Sequence, residues 1–159
     1  MDDETAGQQI TVQIAQLCAA TEVTSEQIEK LVGFVCARFG VQKAIVGVAV
    51  VDDEHIRELN KQFLKHDYIT DVLSFDLSEE IDSDEKCFEI VVNAELAARH
   101  AEKTQHNAQA EVALYITHGL LHQLGFDDQQ DDKAEEMHRA EEEILRQFGF
   151  NFVYNQRGF

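Results

Sequence analysis

Two histidines one helical turn apart open the stretch His118–Asp128, which has the clearest chemical potential in this 159-residue chain. Side chains four positions apart on a helix share one face, with Cβ atoms about 5–6 Å apart, so both imidazoles can reach one metal ion. Gly125 then suits a helix end and a turn. Beyond that turn, a carboxylate of Asp127 or Asp128 can return toward the histidines. The pattern predicts three protein ligands and one open position, as in catalytic zinc sites.

A second interpretation is that these side chains have no metal to bind. Two histidines at helical spacing are often ordinary polar residues, and the acidic pair can simply be solvated. The glycine turn together with the two carboxylates favours metal ligation. His138 lies on an acidic helix further along the chain, and we expect it to face solvent and not to be a ligand.

Four segments of the chain match known family patterns. His118–Asp128 reads H-G-L-L-H-Q-L-G-F-D-D, and Leu59–Phe75 ends in T-D-V-L-S-F. Glu89–Val92 and the acidic Asp131–Met137 complete the set. Together these segments resemble the YbeY family of rRNA maturation factors, whose metal motif is H-G-x-L-H-x-x-G-x-D-H. The chain departs from that motif at its last position, where Asp128 replaces the third histidine.

The resemblance covers about residues 45–149 and implies a metal-dependent endoribonuclease. Such an enzyme cleaves single-stranded RNA in rRNA maturation and ribosome quality control, with water activated by one divalent metal, expected to be zinc. The implied partners are rRNA and the ribosomal small subunit. Taking spacing and resemblance together, we assign His118, His122 and Asp128 as ligands. Asp127 matches the family's aspartate, and either supports a ligand or caps the turn.

No catalytic group can be assigned from the sequence, and the candidates lie in two places. Asp127 is one, and the others are Thr70, Asp71 and Ser74, which we expect to line the cleft beside the metal. Their alternative roles are a strand cap and a buried hydroxyl.

Charge restricts where RNA could bind. The formal net charge of −18 argues against general nucleic-acid binding, because phosphate contacts need Lys and Arg. A local basic row is still present on the second predicted helix, where Arg57, Lys61 and Lys65 follow at intervals of four. Many family members have an arginine where this chain has Leu64, and that arginine is the natural phosphate clamp. The row predicts an RNA-binding face, although a solvated face has the same pattern.

Two other functions fit parts of the pattern. Two histidines and a third ligand also resemble the zincin metalloproteases, but those enzymes have a glutamate base directly after the first histidine. Here that position is Gly119, which cannot accept a proton. The other alternative is a ribosome-assembly factor that keeps the metal for stability alone.

Length and composition predict a single domain over residues 1–159, with residues 1–8 as a flexible tail. Hydrophobic residues make up 44% of the chain, which is enough for a core. No run of eighteen apolar residues is present and the N-terminus is acidic, so we expect neither a membrane span nor secretion. Three cysteines without paired spacing fit a reducing cytoplasm.

Hydrophobic periodicity predicts the order β-α-β-α-β-β-α-α-α. This order indicates an α+β fold with a small mixed sheet of about four strands, covered by about five helices that include a zincin-like metal helix. The predicted strands are 9–16, 44–51, 71–77 and 88–92. The metal helix is predicted over 108–124. The buried side of the second helix is expected to be Ile56, Leu59 and Phe63, and that of the last helix Met137, Ala140, Ile144 and Leu145.

Overall fold

A computed structural model describes residues 8–79 and 84–150 of the chain. Its strands are β1 (Gln9–Gln16), β2 (Lys43–Val51), β3 (Val72–Asp76) and β4 (Lys86–Asn93). Its helices are α1 (Ser25–Arg38), α2 (Asp53–Leu64), α3 (Ala94–Thr104), α4 (Ala108–Gln123) and α5 (Asp131–Gln147). The predicted α+β class and element order are confirmed.

The four strands form one mixed sheet in the order β1-β2-β4-β3. β2 is parallel to both β1 and β4, whereas β3 runs antiparallel to β4, pairing Ser74 with Ile90. An acidic segment joins β3 to β4, its antiparallel neighbour. Residues 80–83 of that segment lie outside the described ranges.

The main core lies on one face of the sheet, between the strands and helices α1, α4 and α5. The apolar stripe of α1 is buried there, from Ile28 to Cys36. Thr24 caps this helix through a capping box with Gln27, which satisfies backbone groups at the helix start. Ile90 of β4 and Ile116 of α4 belong to the same cluster.

Helix α2 lies on the other face, against a smaller cluster that includes Val51, Ile56 and Val91. Here one prediction was wrong. Ile56 is buried and Leu59 packs on the cluster, but Phe63 is 57% exposed, and the polar Asn60 is buried instead. The cluster is too short to cover the last turn of the helix. The Asn60 amide is used to donate a hydrogen bond to the Tyr68 carbonyl oxygen, at 3.0 Å.

The ends of the chain lie largely outside the described residues, and so does most of the predicted tail, residues 1–7. Gln8, the last residue of that tail, is described, and its side-chain amide is within 3.4 Å of the carbonyl oxygens of Gly33 and Val41. Across residues 8–79 and 84–150, none of the helices combines the length and apolar character needed to cross a membrane.

Candidate metal centre

Helix α4, which is largely buried in the core, carries the two histidines. It is capped by Asn107 and buried on most of its circumference, so its position is fixed by packing on several sides. Gly119, next to His118, faces the sheet. A Cβ atom there would lie 3.1 Å from a methyl of Val72 and 3.2 Å from one of Ile90, which is tighter than nearly all such contacts. The glycine therefore lets the helix approach the sheet closely where the first histidine stands.

Three possible ligand atoms converge at the end of α4. His118 Nε2 and His122 Nε2 are 3.0 Å apart, and Asp128 Oδ2 lies 3.5 Å from the first and 3.6 Å from the second. Atoms held about 2.0–2.2 Å from one tetrahedral zinc ion are about 3.4 Å from each other. The separations therefore fit a single ion, and the group could hold a metal. Gly125, at φ +100°, makes the turn that returns Asp128 to the helix.

The other nitrogen of each imidazole is already used. His118 Nδ1 donates to a carboxylate oxygen of Glu141 at 2.7 Å, and His122 Nδ1 donates to the carbonyl oxygen of Phe126 at 3.3 Å. With both protons on Nδ1, both Nε2 atoms carry lone pairs, so their 3.0 Å approach cannot be a hydrogen bond between neutral rings. Two imidazole lone pairs that face one another beside a carboxylate form a set of metal ligands suited to a cation.

Charge around His118 favours a positive species. Burial alone lowers the pKa of its imidazole, but the hydrogen bond and charge of Glu141, with the charges of Asp71 and Asp128, outweigh burial and raise it. The raised pKa reflects a negative potential at the site. A metal ion bound there would replace the imidazole proton, so metal uptake should weaken as the pH falls.

Glu141 is the functional residue that the sequence analysis missed. It lies on α5, is fully buried, and fixes the tautomer and orientation of His118. The sequence holds a signal for it. Position 141 falls on the apolar face with Met137, Ile144 and Leu145, where an unpaired glutamate would be costly. Ala140, which was predicted to pack inward, is half-buried and packs against the core.

The other predicted site residues fall around this centre. Asp127 accepts from the backbone N–H of Gln129 at 2.9 Å, which corresponds to the turn-capping role. Asp71 accepts from the backbone N–H of Val72, at 2.8 Å, and its charge reaches His118. Thr70 Oγ1 lies 3.3 Å from the Asp71 carboxylate. Ser74 accepts a hydrogen bond from Gln123, the residue after His122, at 2.9 Å.

Two other predicted features lie away from the ligands. His138 is half-buried rather than solvent-facing, and it is outside the histidine–aspartate cluster found among the described residues. Glu89 packs over Gly47, with which it pairs across β2 and β4, on the sheet face opposite Ile90. Burial raises the pKa of its carboxyl group.

The predicted basic row lies along the exposed side of α2. Arg57 is paired with Asp67, its Nε 2.7 Å from a carboxylate oxygen, which keeps the pKa of Asp67 below its usual range. Lys61 and Lys65 are exposed, and neither forms an ion pair with another residue of the described ranges. Two of the three cations are therefore available to a ligand.

Known proteins are similar to this chain in sequence and in fold. A sequence model described as endoribonuclease YbeY matches residues 9–149. The chain belongs to the endoribonuclease YbeY family. Proteins named endoribonuclease YbeY from Bacillus licheniformis and Aquifex aeolicus are 33% and 34% identical to it, over 79% and 78% of this chain and 85% and 83% of theirs. The solution structure of TM1509 from Thermotoga maritima matches with a TM-score of 0.58 at 27% identity, covering 84% of this chain and 87% of that one.

Family membership agrees with the resemblance seen in the sequence and favours neither alternative function. The position that carries the catalytic glutamate in zincins is occupied here by Gly119, which packs on Val72 and Ile90. The peptidase interpretation therefore lacks its base at this position.

Proposed function

We propose that this chain is a metal-dependent endoribonuclease that cleaves single-stranded RNA during rRNA maturation in the cytoplasm. The observation that carries the proposal is the convergence of His118 Nε2, His122 Nε2 and Asp128 Oδ2 at separations of 3.0–3.6 Å, in a chain of the endoribonuclease YbeY family. The family relation supports the reaction class, and the geometry supports the need for a metal.

The residues His118, His122 and Asp128 would hold one divalent ion, for which zinc is the best match. Two imidazoles and one carboxylate form a common catalytic zinc set that leaves a fourth position for water or substrate. Such an ion lowers the pKa of water and polarises a phosphoryl oxygen, which are the two demands of phosphodiester hydrolysis.

The chain's own residues orient this chemistry. Glu141 and the Phe126 carbonyl hold the two imidazoles with Nε2 toward the ion position. Ser74 and Asp71 stand at the neighbouring strand, where Gln123 donates a hydrogen bond to the Ser74 hydroxyl and the backbone N–H of Val72 donates one to the Asp71 carboxylate. Of the predicted catalytic candidates, Asp71 is the one whose charge reaches His118, so we propose it as the group that accepts a proton from attacking water.

Substrate binding would use the basic side of α2. Lys61 and Lys65 would contact phosphates, with Arg57 contributing less because of its pairing with Asp67. In a protein with a net charge of −18, so few cations favour a partner that supplies additional affinity. We propose the ribosomal small subunit in that role.

The test is a metal titration followed by RNA cleavage with the purified chain. We expect one zinc per chain and cleavage of a single-stranded RNA, with a duplex of the same sequence left intact. His122→Ala should lose the zinc and the cleavage, whereas His138→Ala, a histidine change outside the cluster, should keep both. Zinc content equal in wild type and His122→Ala would contradict the site. Zinc binding without cleavage would support the assembly-factor alternative.

A further inference from the structure

Most of the large apolar side chains that are exposed in the described residues fall in one stretch of the chain. Six large hydrophobic residues are exposed within residues 8–79 and 84–150, and five of them fall between positions 63 and 77. They are Phe63, Leu64, Tyr68, Ile69 and Leu77. The sixth, Leu17, stands at the end of β1, the strand at the opposite edge of the sheet. Exposed apolar side chains gathered in one place commonly mark a binding surface.

The exposed ring of Tyr68 is fixed in orientation by its contact with a neighbouring histidine. Its ring is stacked on the His66 imidazole, with centroids 5.2 Å apart and planes 15° from parallel, and the Tyr68 hydroxyl is 3.0 Å from His66 Nδ1. The residue nevertheless remains 54% exposed. A second aromatic contact lies close by in the chain, where Phe63 meets Phe75 edge-on at 5.7 Å.

The segment that carries Tyr68 is anchored at both ends and leads to the metal centre. The buried Asn60 amide donates to the Tyr68 carbonyl, and the buried Asn93 amide donates to the Thr70 carbonyl at 3.2 Å. Three peptide steps separate Tyr68 from Asp71, so their Cα atoms are at most about 11 Å apart. Val72, the next residue, packs against Gly119, where a Cβ atom would lie 3.1 Å from a Val72 methyl, and Gly119 is next to His118. The segment that carries the aromatic pair therefore leads to the candidate metal centre.

Cations stand beside the same segment. Lys61 is exposed on the last turn of α2, and Lys65, which is exposed as well, is the C-cap residue directly before His66. Exposed aromatic rings next to free cations are the usual means of binding single-stranded nucleic acid, since the rings stack on bases and the cations contact the backbone. Inside a duplex both faces of a base are covered by its stacked neighbours, so a site that stacks on a base favours single strands.

We infer that the stacked pair Tyr68–His66 is a nucleobase-binding subsite that receives one unpaired base of the RNA strand next to the metal centre. This inference rests on the proposed endoribonuclease function and adds to it the position and the chemistry of a base contact. The stacking is tolerant of sequence, because every base has a π-face. The subsite therefore contributes preference for single strands and not for a particular base.

The experiment measures RNA binding by fluorescence anisotropy, using the full zinc-loaded chain. The probes are ten-nucleotide oligouridines in which one abasic position is moved along the strand, and a denaturing gel verifies that each probe is intact. In wild type, one abasic position should weaken binding about fivefold, since one base stack is lost. Tyr68→Ala should weaken binding of the unmodified strand by a similar factor and abolish the abasic penalty at that position.

Two controls separate the ring from other effects. Tyr68→Phe keeps the ring and should bind like wild type, whereas Leu17→Ala removes an exposed apolar side chain at the far edge of the sheet and should change nothing. Zinc content should be the same in all variants.

The outcomes that overturn the inference are distinct from those that overturn the proposed function. If wild type cleaves RNA but Tyr68→Ala keeps both its affinity and the abasic penalty, the subsite is wrong and the enzyme assignment stands. Equal losses in Tyr68→Ala and Tyr68→Phe would assign the effect to the hydroxyl and reject stacking. Unchanged RNA affinity with loss of a concentration-dependent dimer in Tyr68→Ala would assign this stretch to a second copy of the chain. If wild type neither binds nor cleaves RNA, the function and the subsite fail together.

Discussion

Helices α4 and α2 carry the two halves of the proposed chemistry, and they are built in opposite ways. Eleven of the sixteen residues of α4 are buried, whereas only two of the twelve residues of α2 are. Metal ligation demands that three atoms keep their separations within a few tenths of an ångström, which a helix packed on all sides can provide. Contacts to a mobile RNA strand demand accessible side chains, which an exposed helix offers. The difference predicts that variants on α4 change metal content, whereas variants on α2 change RNA binding alone.

The largest effect on the metal side is expected at Asp128. Asp128→Ala should lower zinc affinity by more than the 10–100-fold that is typical of losing an outer partner, because a direct ligand is removed. Asp128→His should retain zinc. It should also discriminate more strongly against manganese, since an oxygen ligand suits harder ions. Zinc and manganese content measured by atomic spectroscopy after dialysis tests this.

The same two variants also test how the charge of Asp128 affects the pH dependence of cleavage. Asp128→His makes the ligand set less negative, which favours loss of a proton from the attacking water, so the pH at which cleavage rises should fall. Tight zinc binding by Asp128→Ala would show that the third ligand is water or Asp127.

A smaller effect is expected from Glu141, which acts through His118. Glu141→Gln keeps the size of the side chain but removes its charge, and zinc affinity at alkaline pH should fall about tenfold. The loss of a negative partner also lowers the pKa of His118, so the pH above which zinc affinity stops rising should move downward. Glu136→Gln, an exposed change on the same helix, is the control and should alter neither quantity. Calorimetric zinc titrations across pH measure both, and an unchanged pH for this plateau would reject the charge coupling.

On the α2 side, replacing Lys61 and Lys65 with Gln should weaken single-stranded RNA binding without changing zinc content. If each lysine contacts a phosphate, the slope of log affinity against log salt should become shallower by about 0.7 per lysine, or about 1.4 in total. The matched control is Lys30→Gln with Lys103→Gln, two exposed lysines on α1 and α3. An unchanged slope in the first variant would place the RNA elsewhere.

The smallest predicted effect concerns the thiols. Burial raises the pKa of Cys36 to about 11, so at pH 8 little of it is thiolate. Cys18 and Cys87 are only partly buried. In the folded chain, iodoacetamide should therefore modify Cys18 and Cys87 before Cys36. Peptide mass spectrometry at successive times measures the order, and modification of Cys36 first would contradict the packing of α1 against the core.

The sequence predicted what depends on local spacing. The spacing of the two histidines on α4 and the glycine turn after them are set by neighbours within a few residues, and the structure has both as expected. The strand bounds agree within two residues for the same reason. Spacing alone left the third ligand open between two adjacent aspartates, because the path of the turn decides which carboxylate returns, and the assignment of Asp128 needed the resemblance as well.

The features that the sequence did not predict depend on how the helices pack on one another and on the sheet. Glu141 contacts His118 only because α5 packs across α4, a contact between residues 23 positions apart. Phe63 follows an amphipathic pattern, yet it lies at the margin of the cluster beneath α2, where its ring meets the edge of Phe75 and stays 57% exposed. Such outcomes are fixed by how helices are arranged on the sheet, which the periodicity of a single helix does not encode.

The hydrogen bonds of the buried Asn93 side chain have a consequence for how the surrounding segments unfold locally. Its side chain accepts from Leu96 N–H and donates to Asp53 and to the Thr70 carbonyl, while its backbone N–H donates to the Asp71 carbonyl. One residue thus ties together the starts of α2 and α3 and the approach to β3. Local opening of any of these segments exposes the same buried amide, so they should exchange their backbone hydrogens with solvent as a single unit. We therefore expect the segment before β3 to be as protected from exchange as the starts of α2 and α3.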